Sequence, residues 1–205
     1  MSENLLPRHG LDSLLPSLPT DANDDDGVRV EIRGDLGHIN LRGNSLDPVF
    51  LATIARVLEQ ELPITANTLS TGEHRIYWLG PNEWQVVTAI DVCNELVGQL
   101  REGFSGLSAS VSDLSGGYTA LQVDGARVRN TLAKGCTLDL DRFDVTDCAQ
   151  TGLAKASMLI GYIDEAGPVF EIVVRRSFAD YAVRWLKHAA SGYGVSFSAT
   201  SGSAL

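Results

Sequence analysis

Two pairs of apolar segments in this sequence are each joined by a turn of three residues. "HRIYWLG" and "EWQVVTAI" meet around Gly80-Pro81-Asn82, and "KASMLIGYID" and "PVFEIVVRR" around Glu165-Ala166-Gly167. A parallel crossover needs about a dozen residues, so both pairs must run antiparallel. That restriction governs the reading of everything between them.

The same alternation marks "VRVEIR" (28 to 33) and "GHINLRG" (37 to 43) as strands, which the tight link Gly34-Asp35-Leu36 joins as a hairpin. Asp47-Pro48 then opens a helix whose apolar positions 50, 51, 54, 57, 58 and 62 recur at helical spacing, with Pro63 as its stop. After the first short-turn pair come a helix from Asp91 to Arg101 and a strand near "SASVSDL". A second round follows: the strand "YTALQVDG", a helix of about eight residues in "ARVRNTLA", the second short-turn pair, and the helix "FADYAVRWLKHAAS". Ser177 is placed to cap that last helix and Gly192 to stop it. The pattern predicts an α+β fold, two similar rounds of mostly antiparallel sheet with helices on one face, within a single domain spanning 27–194.

The flanks differ in composition. Residues 1–26 read as an arm and linker. The arm carries Leu5, Leu11, Leu14, Leu15 and Leu18, too apolar for a free tail and suited to lying on another surface, and "PTDANDDDG" reads as a solvated acidic linker. Residues 195–205, including "SATSGSAL", read as a flexible tail. A formal charge of −10 with 16 basic residues argues against a nucleic-acid surface. No window reaches the roughly 20 apolar residues of a membrane span. Three cysteines, Cys93, Cys136 and Cys148, with no Cys-x-x-Cys pair, fit a reducing cytoplasm.

Candidate chemistry concentrates in "NTLAKGCTLDLDRFDVTDC". Asp139, Asp141, Asp144 and Asp147 could supply calcium ligands, but counting from Asp139 the fifth, sixth and twelfth positions are Phe143, Asp144 and Gln150, where a calcium loop needs a carboxylate, glycine and glutamate. Turns and helix caps account for these aspartates. Zinc is no better served, with Cys136 and Cys148 twelve apart and His9, His38, His74 and His188 scattered singly. A thiol beside Lys134 could be activated. Lys134-Gly135-Cys136 resembles the opening of the signature of a folate-binding, iron–sulfur-related family, yet the aromatic residue and Gly-Gln pair that follow there are replaced by "TLDLDRF". Trp78 and Trp84 could stack across their hairpin or anchor a partner, and Arg175-Arg176 could clamp a carboxylate or sit solvated at a strand end. The glycines of "LSGGYTAL" read as a strand entry, since no lysine or opening helix follows.

The blocks "YWLGPNEWQVV", "VDGARVRNTLAKGCTLDLDRF", "AQTGLAKASMLIGYI" and "VVRRSFADYAVRWLKHAA" resemble, in order and spacing from Tyr77 to Ala190, the gamma subunit family of heterotetrameric sarcosine oxidase. The resemblance implies a fold similar to the folate-binding domain of glycine-cleavage aminomethyltransferases. It implies a complex that oxidatively demethylates sarcosine or a related N-methyl amino acid, with NAD and tetrahydrofolate on an alpha subunit, FAD and covalent FMN on a beta subunit and zinc on a delta subunit. This chain would then be a non-catalytic assembly subunit, with no catalytic, cofactor-binding or metal residue of its own, contacting chiefly alpha. Its Cys136 would be packed rather than reactive. The alternative is a stand-alone folate-binding aminomethyltransferase-like enzyme.

Overall fold

The computed structural model describes residues 11, 13–20, 27–164 and 167–200. The strands are β1 (Val28–Arg33), β2 (Leu36–Arg42), β3 (Leu69–Thr71), β4 (Arg75–Gly80), β5 (Glu83–Ala89), β6 (Ser110–Asp113), β7 (Tyr118–Asp124), β8 (Cys148–Leu153), β9 (Ala156–Asp164), β10 (Val169–Arg175) and β11 (Val195–Thr200). The helices are α1 (Pro48–Leu58), α2 (Ile90–Gly103), α3 (Val128–Leu132) and α4 (Ala179–Ala189). They form a mixed α+β fold of four layers, helix, sheet, sheet, helix.

One sheet has five strands in the order β3-β4-β5-β2-β6, the other six in the order β11-β1-β7-β10-β9-β8. The two short-turn pairs are antiparallel as expected, Ile76 opposite Val86 and Ile172 opposite Ile160. The repeated element order also holds. The five-stranded sheet runs β2, α1, β3, β4, β5, α2, β6, and the other runs β7, α3, β8, β9, β10, α4, β11.

Alternation along each strand sorts the side chains between two faces. Ile39, Leu41, Ile76, Trp84 and Val86 turn outward onto Phe50 and Ile54 of α1 and Leu100 of α2. Val30, Leu121, Ile160 and Ile172 turn the opposite way onto Val128 of α3 and Val183 and Leu186 of α4. The remaining faces meet each other, through Leu69, Tyr77 and Val87 on one side and Ala120, Cys148, Leu159 and Val173 on the other.

The expected hairpin of β1 and β2 does not form. β1 pairs antiparallel with β7 and parallel with β11, whereas β2 pairs with β5 and β6 in the other sheet. The short link is a crossing between layers. Arg33 and Asp35 hold it, Nε to Oδ1 at 2.9 Å, and Ile90 N donates to Asp35 O at 2.8 Å.

Smaller departures concern element ends. Asp47 caps α1 as expected, Oδ1 accepting from Val49 N at 2.9 Å, but the helix stops at Leu58, where Glu59 takes φ 50°, before Pro63 is reached. Ser177 does not cap the last helix, because a 3-10 turn, Arg176–Phe178, leads into α4 without a side-chain cap. The helix in "ARVRNTLA" is five residues long.

Both flanks also depart from expectation. The segment read as a flexible tail from 195 contains β11, whose Val195 and Phe197 are buried although its other residues are mostly polar. The described part of the arm lies on this chain's own core. Leu11, Leu14 and Leu18 are 0, 4 and 7% exposed, in the cluster that includes Val28, Phe197 and the inner face of α4. Phe197 N donates to Pro19 O at 2.8 Å, so the arm also covers the free edge of β11. The acidic linker 21–26 lies outside the described residues.

Burying one leucine stabilises a fold by about 1.5 to 3 kcal/mol. Deleting residues 1–20 should therefore lower the unfolding free energy of the isolated chain by about 3 kcal/mol or more in a urea titration; an unchanged midpoint would show that the arm does not pack here.

Candidate functional site

The layer between the sheets is where polar chemistry collects. Glu171 stands in the middle of the apolar run "VFEIVV" and is completely buried. Period two turns it away from the α4 face, along with Val173 and Arg175. Across the layer, alternation in β4 presents Arg75, Tyr77 and Leu79. The Tyr77 hydroxyl donates to Glu171 Oε1 at 2.6 Å and Arg75 Nε donates to the same oxygen at 3.0 Å. A terminal Arg75 nitrogen lies 2.7 Å from Glu171 Oε2, an ion pair by distance rather than an aligned hydrogen bond. Burial and the adjacent carboxylate push the Tyr77 phenol far above its ordinary range, so it stays a donor.

The tyrosine needs room to reach across. On β9, Gly161 sits beside Glu171 in the ladder, and a Cβ there would come within 2.5 Å of the Tyr77 ring. Next to this group, His38 is 1% exposed, with Nδ1 3.2 Å from Gln85 Nε2 and its ring tilted on Tyr118 at 5.8 Å. Burial lowers the His38 pKa to about 4, which leaves a neutral imidazole at neutral pH.

The segment "KGC" is built differently. Lys134 Nζ donates to Ala189 O at the end of α4 and stands 4.4 Å from the centre of the Tyr193 ring. Gly135 lets Trp185 lie against the main chain, since a Cβ would meet the indole at 2.4 Å. Cys136 is 6% exposed and packs in the α3/α4 core with Leu140. Asp139 caps the short turn Leu140–Arg142, and Asp147 Oδ2 accepts from Asp144 N at 2.8 Å. Asp141 and Asp144 are exposed.

The other thiols are no better placed for reaction. Burial pushes Cys148 up to about 12, with Sγ donating to Thr68 O at 3.1 Å, and raises Cys93. His74 is buried against Thr88, Nδ1 to Oγ1 at 2.9 Å, and His188 is exposed on α4; His9 lies outside the described residues. Among the described residues no three His, Cys, Asp or Glu side chains form a metal-holding group. Trp78 and Trp84 are opposite each other in the ladder. Trp84 is fully buried, its indole donating to Pro63 O at 2.8 Å and its ring tilted on Phe50, so it is a core residue. Arg175 and Arg176 part company: Arg175 ends β10 and Arg176 opens the turn into α4. Among the described residues no helix is long and apolar enough to cross a membrane.

The Arg75–Tyr77–Glu171 group is not apparent from the residues taken one at a time. A signal was available: a glutamate flanked by four apolar residues in a strand is seldom buried without a cation.

Comparisons with known proteins converge. The model of the family described as "Sarcosine oxidase, gamma subunit family" matches residues 42–192. The sarcosine oxidase subunit gamma of Corynebacterium sp. (strain U-96) is 30% identical over 120 residues, covering 58% of this chain and 57% of that one. Its counterpart in Arthrobacter sp is 28% identical over 113 residues, 54% of each chain. The matched region thus spans little more than half the length of these relatives. A chain of heterotetrameric sarcosine oxidase from Corynebacterium sp. U-96 superposes with a TM-score of 0.83 at 23% identity, over 91% of this chain and 95% of that one. Glycine cleavage system aminomethyltransferase T from Bartonella henselae shares the fold with a TM-score of 0.61 at 14% identity, over 85% of this chain and 48% of that one.

A buried histidine whose folded pKa is depressed favours the folded state only while it is neutral. The unfolded chain takes up its proton first as pH falls through about 6.5, and that component of stability is lost progressively down to about 4. His38→Gln should abolish it. Between about pH 7 and about pH 4.5 the variant should lose roughly 2 to 3 kcal/mol less unfolding free energy than the parent, measured by denaturant titration at both pH values; parallel losses would show that His38 is not held neutral.

Proposed function

Because the chain belongs to the sarcosine oxidase gamma subunit family, we propose that it is the non-catalytic gamma subunit of a heterotetrameric flavoprotein complex that oxidatively demethylates sarcosine or a related N-methyl amino acid. The observation that carries this reading is the family match over residues 42–192, which takes in all four helices and the strands from β3 to β10. In this reading the alpha, beta and delta subunits hold the cofactors, FAD and FMN, NAD, tetrahydrofolate and zinc, and the gamma chain contacts chiefly alpha in the cytoplasm. Its contribution is a rigid body against which they assemble.

The chemistry of the chain supports a scaffold role. Its thiols are packed, its buried carboxylate is neutralised by Arg75, and its buried imidazoles are held by an amide at His38 and a hydroxyl at His74. Hard redox chemistry belongs to cofactors, and the glycine-rich loop that would cradle a nucleotide cofactor is not among this sequence's motifs. The aminomethyltransferase reading draws support from the shared fold at 14% identity, and fold likeness alone does not carry an activity.

Purified alone and folded, the chain should show no flavin absorbance and release no formaldehyde from sarcosine, while the tagged chain recovered with its partner subunits should do both. Turnover by the chain alone would overturn the subunit reading. In the assembled complex, Cys136→Ala should leave turnover within about twofold of the parent and cost about 1 to 3 kcal/mol of stability, as for loss of a small buried group. A folded, assembled and inactive variant would instead make Cys136 a reactive group.

A further inference from the structure

The two sheets part at one end of the layer between them and leave an open cleft of about 380 Å³. That size falls in the range of small-molecule sites. Its walls come from both sheets: Leu79 and Gln85 on the five-stranded side, Tyr118, Ser157, Leu159 and Arg175 among those on the other. No aspartate or glutamate lines it. In a chain with a formal charge of −10 this is a locally cationic concavity.

The position of Arg175 follows from the ladder. It shares a face with Glu171 and Val173, so at the exposed end of β10 it stands on the inter-sheet side, at the mouth of the cleft, rather than toward α4. Glu171 already has Arg75, and none of the ion pairs among the described residues involves Arg175. Tyr118 is its direct partner across the β7–β10 ladder. On the opposite side the β9–β10 pairing reaches Met158 and Val174, which brings Ser157 beside Arg175. A phenol, a guanidinium and a hydroxyl therefore stand in one row across the sheet, all able to donate. Leu79 and Leu159 supply apolar wall, and the Gln150 amide, donating to Leu79 O at 2.9 Å, ties the rim together.

We propose that this cleft binds a small organic carboxylate, its charged end on Arg175, Tyr118 and Ser157 and its apolar body against Leu79 and Leu159. A guanidinium prefers a carboxylate because two parallel N–H groups match its two oxygens. Arg175 and Ser157 are exposed at the mouth of the cleft, within reach of an incoming ligand, while Leu159 and Val173 behind them are buried.

The test is a titration of the full, isotope-labelled chain with benzoate and with benzamide, its uncharged analogue, followed by amide chemical shifts. Benzoate should give saturable shifts centred on Tyr118, Ser157 and Arg175, with an affinity at least about tenfold above that of benzamide, the loss expected when a charged hydrogen-bond acceptor becomes neutral. Arg175→Met should weaken benzoate by a similar factor at an unchanged melting temperature, and Arg101→Met, on the exposed side of α2, should not. Absence of saturable shifts in the cleft, or equal binding of the two probes, overturns the proposal without any variant. Undiminished benzoate binding by folded Arg175→Met overturns it as well.

Discussion

One carboxylate decides how the two halves of this molecule sit together. Glu171 is fully buried between two sheets, and the several kcal/mol required to dehydrate such an ion are offset only if its partners come from the opposite layer in the right place. Arg75 and Tyr77 provide this from neighbouring inward positions of one strand. A hydrophobic contact would tolerate sliding of one sheet over the other, whereas two hydrogen bonds to a single oxygen do not. Gly161 belongs to the same constraint, since it is the missing side chain that lets the Tyr77 ring enter the layer. Losing Arg75 would strand the Glu171 charge and losing Tyr77 would remove its shortest hydrogen bond, so the three side chains and the glycine act as a unit.

Much of the architecture is legible in the sequence because period and turn length are local properties. The three-residue turns dictate antiparallel pairing, Asp47-Pro48 marks a helix start, and the repeated order of elements describes both sheets. What the sequence hides depends on partners far away in the chain. The link Gly34-Asp35-Leu36 looks the same whether a strand folds back on its neighbour or steps to another layer, and only β7 and β11 show that β1 has gone to the second sheet. β11 itself is mostly polar, and burial at Val195 and Phe197 with an external partner makes it a strand. Likewise the leucines show that the arm is too apolar to hang free, but the surface that receives it belongs to its own domain.

The candidate site divides along the same line. "KGC" draws attention as a motif, and each of its residues serves packing, with a lysine at a helix end, a glycine under an indole and a small thiol in the core. A motif of three residues carries chemistry only through what surrounds it, and here the surroundings are apolar. The polar group that matters is spread over β4 and β10, 96 residues apart from Arg75 to Glu171, where no local pattern could join them. Shared fold with an aminomethyltransferase is compatible with this, because a scaffold persists when the groups placed on it change.

The strand order also has a consequence for biosynthesis. The five-stranded sheet is assembled entirely from residues 36 to 113, so it can close early, through contacts of modest sequence separation. The six-stranded sheet borrows its strand β1 from before that segment and cannot seat it fully until β11 arrives, with Val28 facing Val195. Until translation passes residue 200, Val28, Val30 and Ile32 lack one flank and the leucines of the arm lack part of their bed. Closing so long a loop is slow relative to local pairing. The nascent chain therefore holds one sheet whose strands are paired but whose inner face, with Leu69, Tyr77 and Val87, still waits for its cover, and a second with an open, apolar edge, and in that interval it is most exposed to chaperones, to proteases and to premature association with other chains.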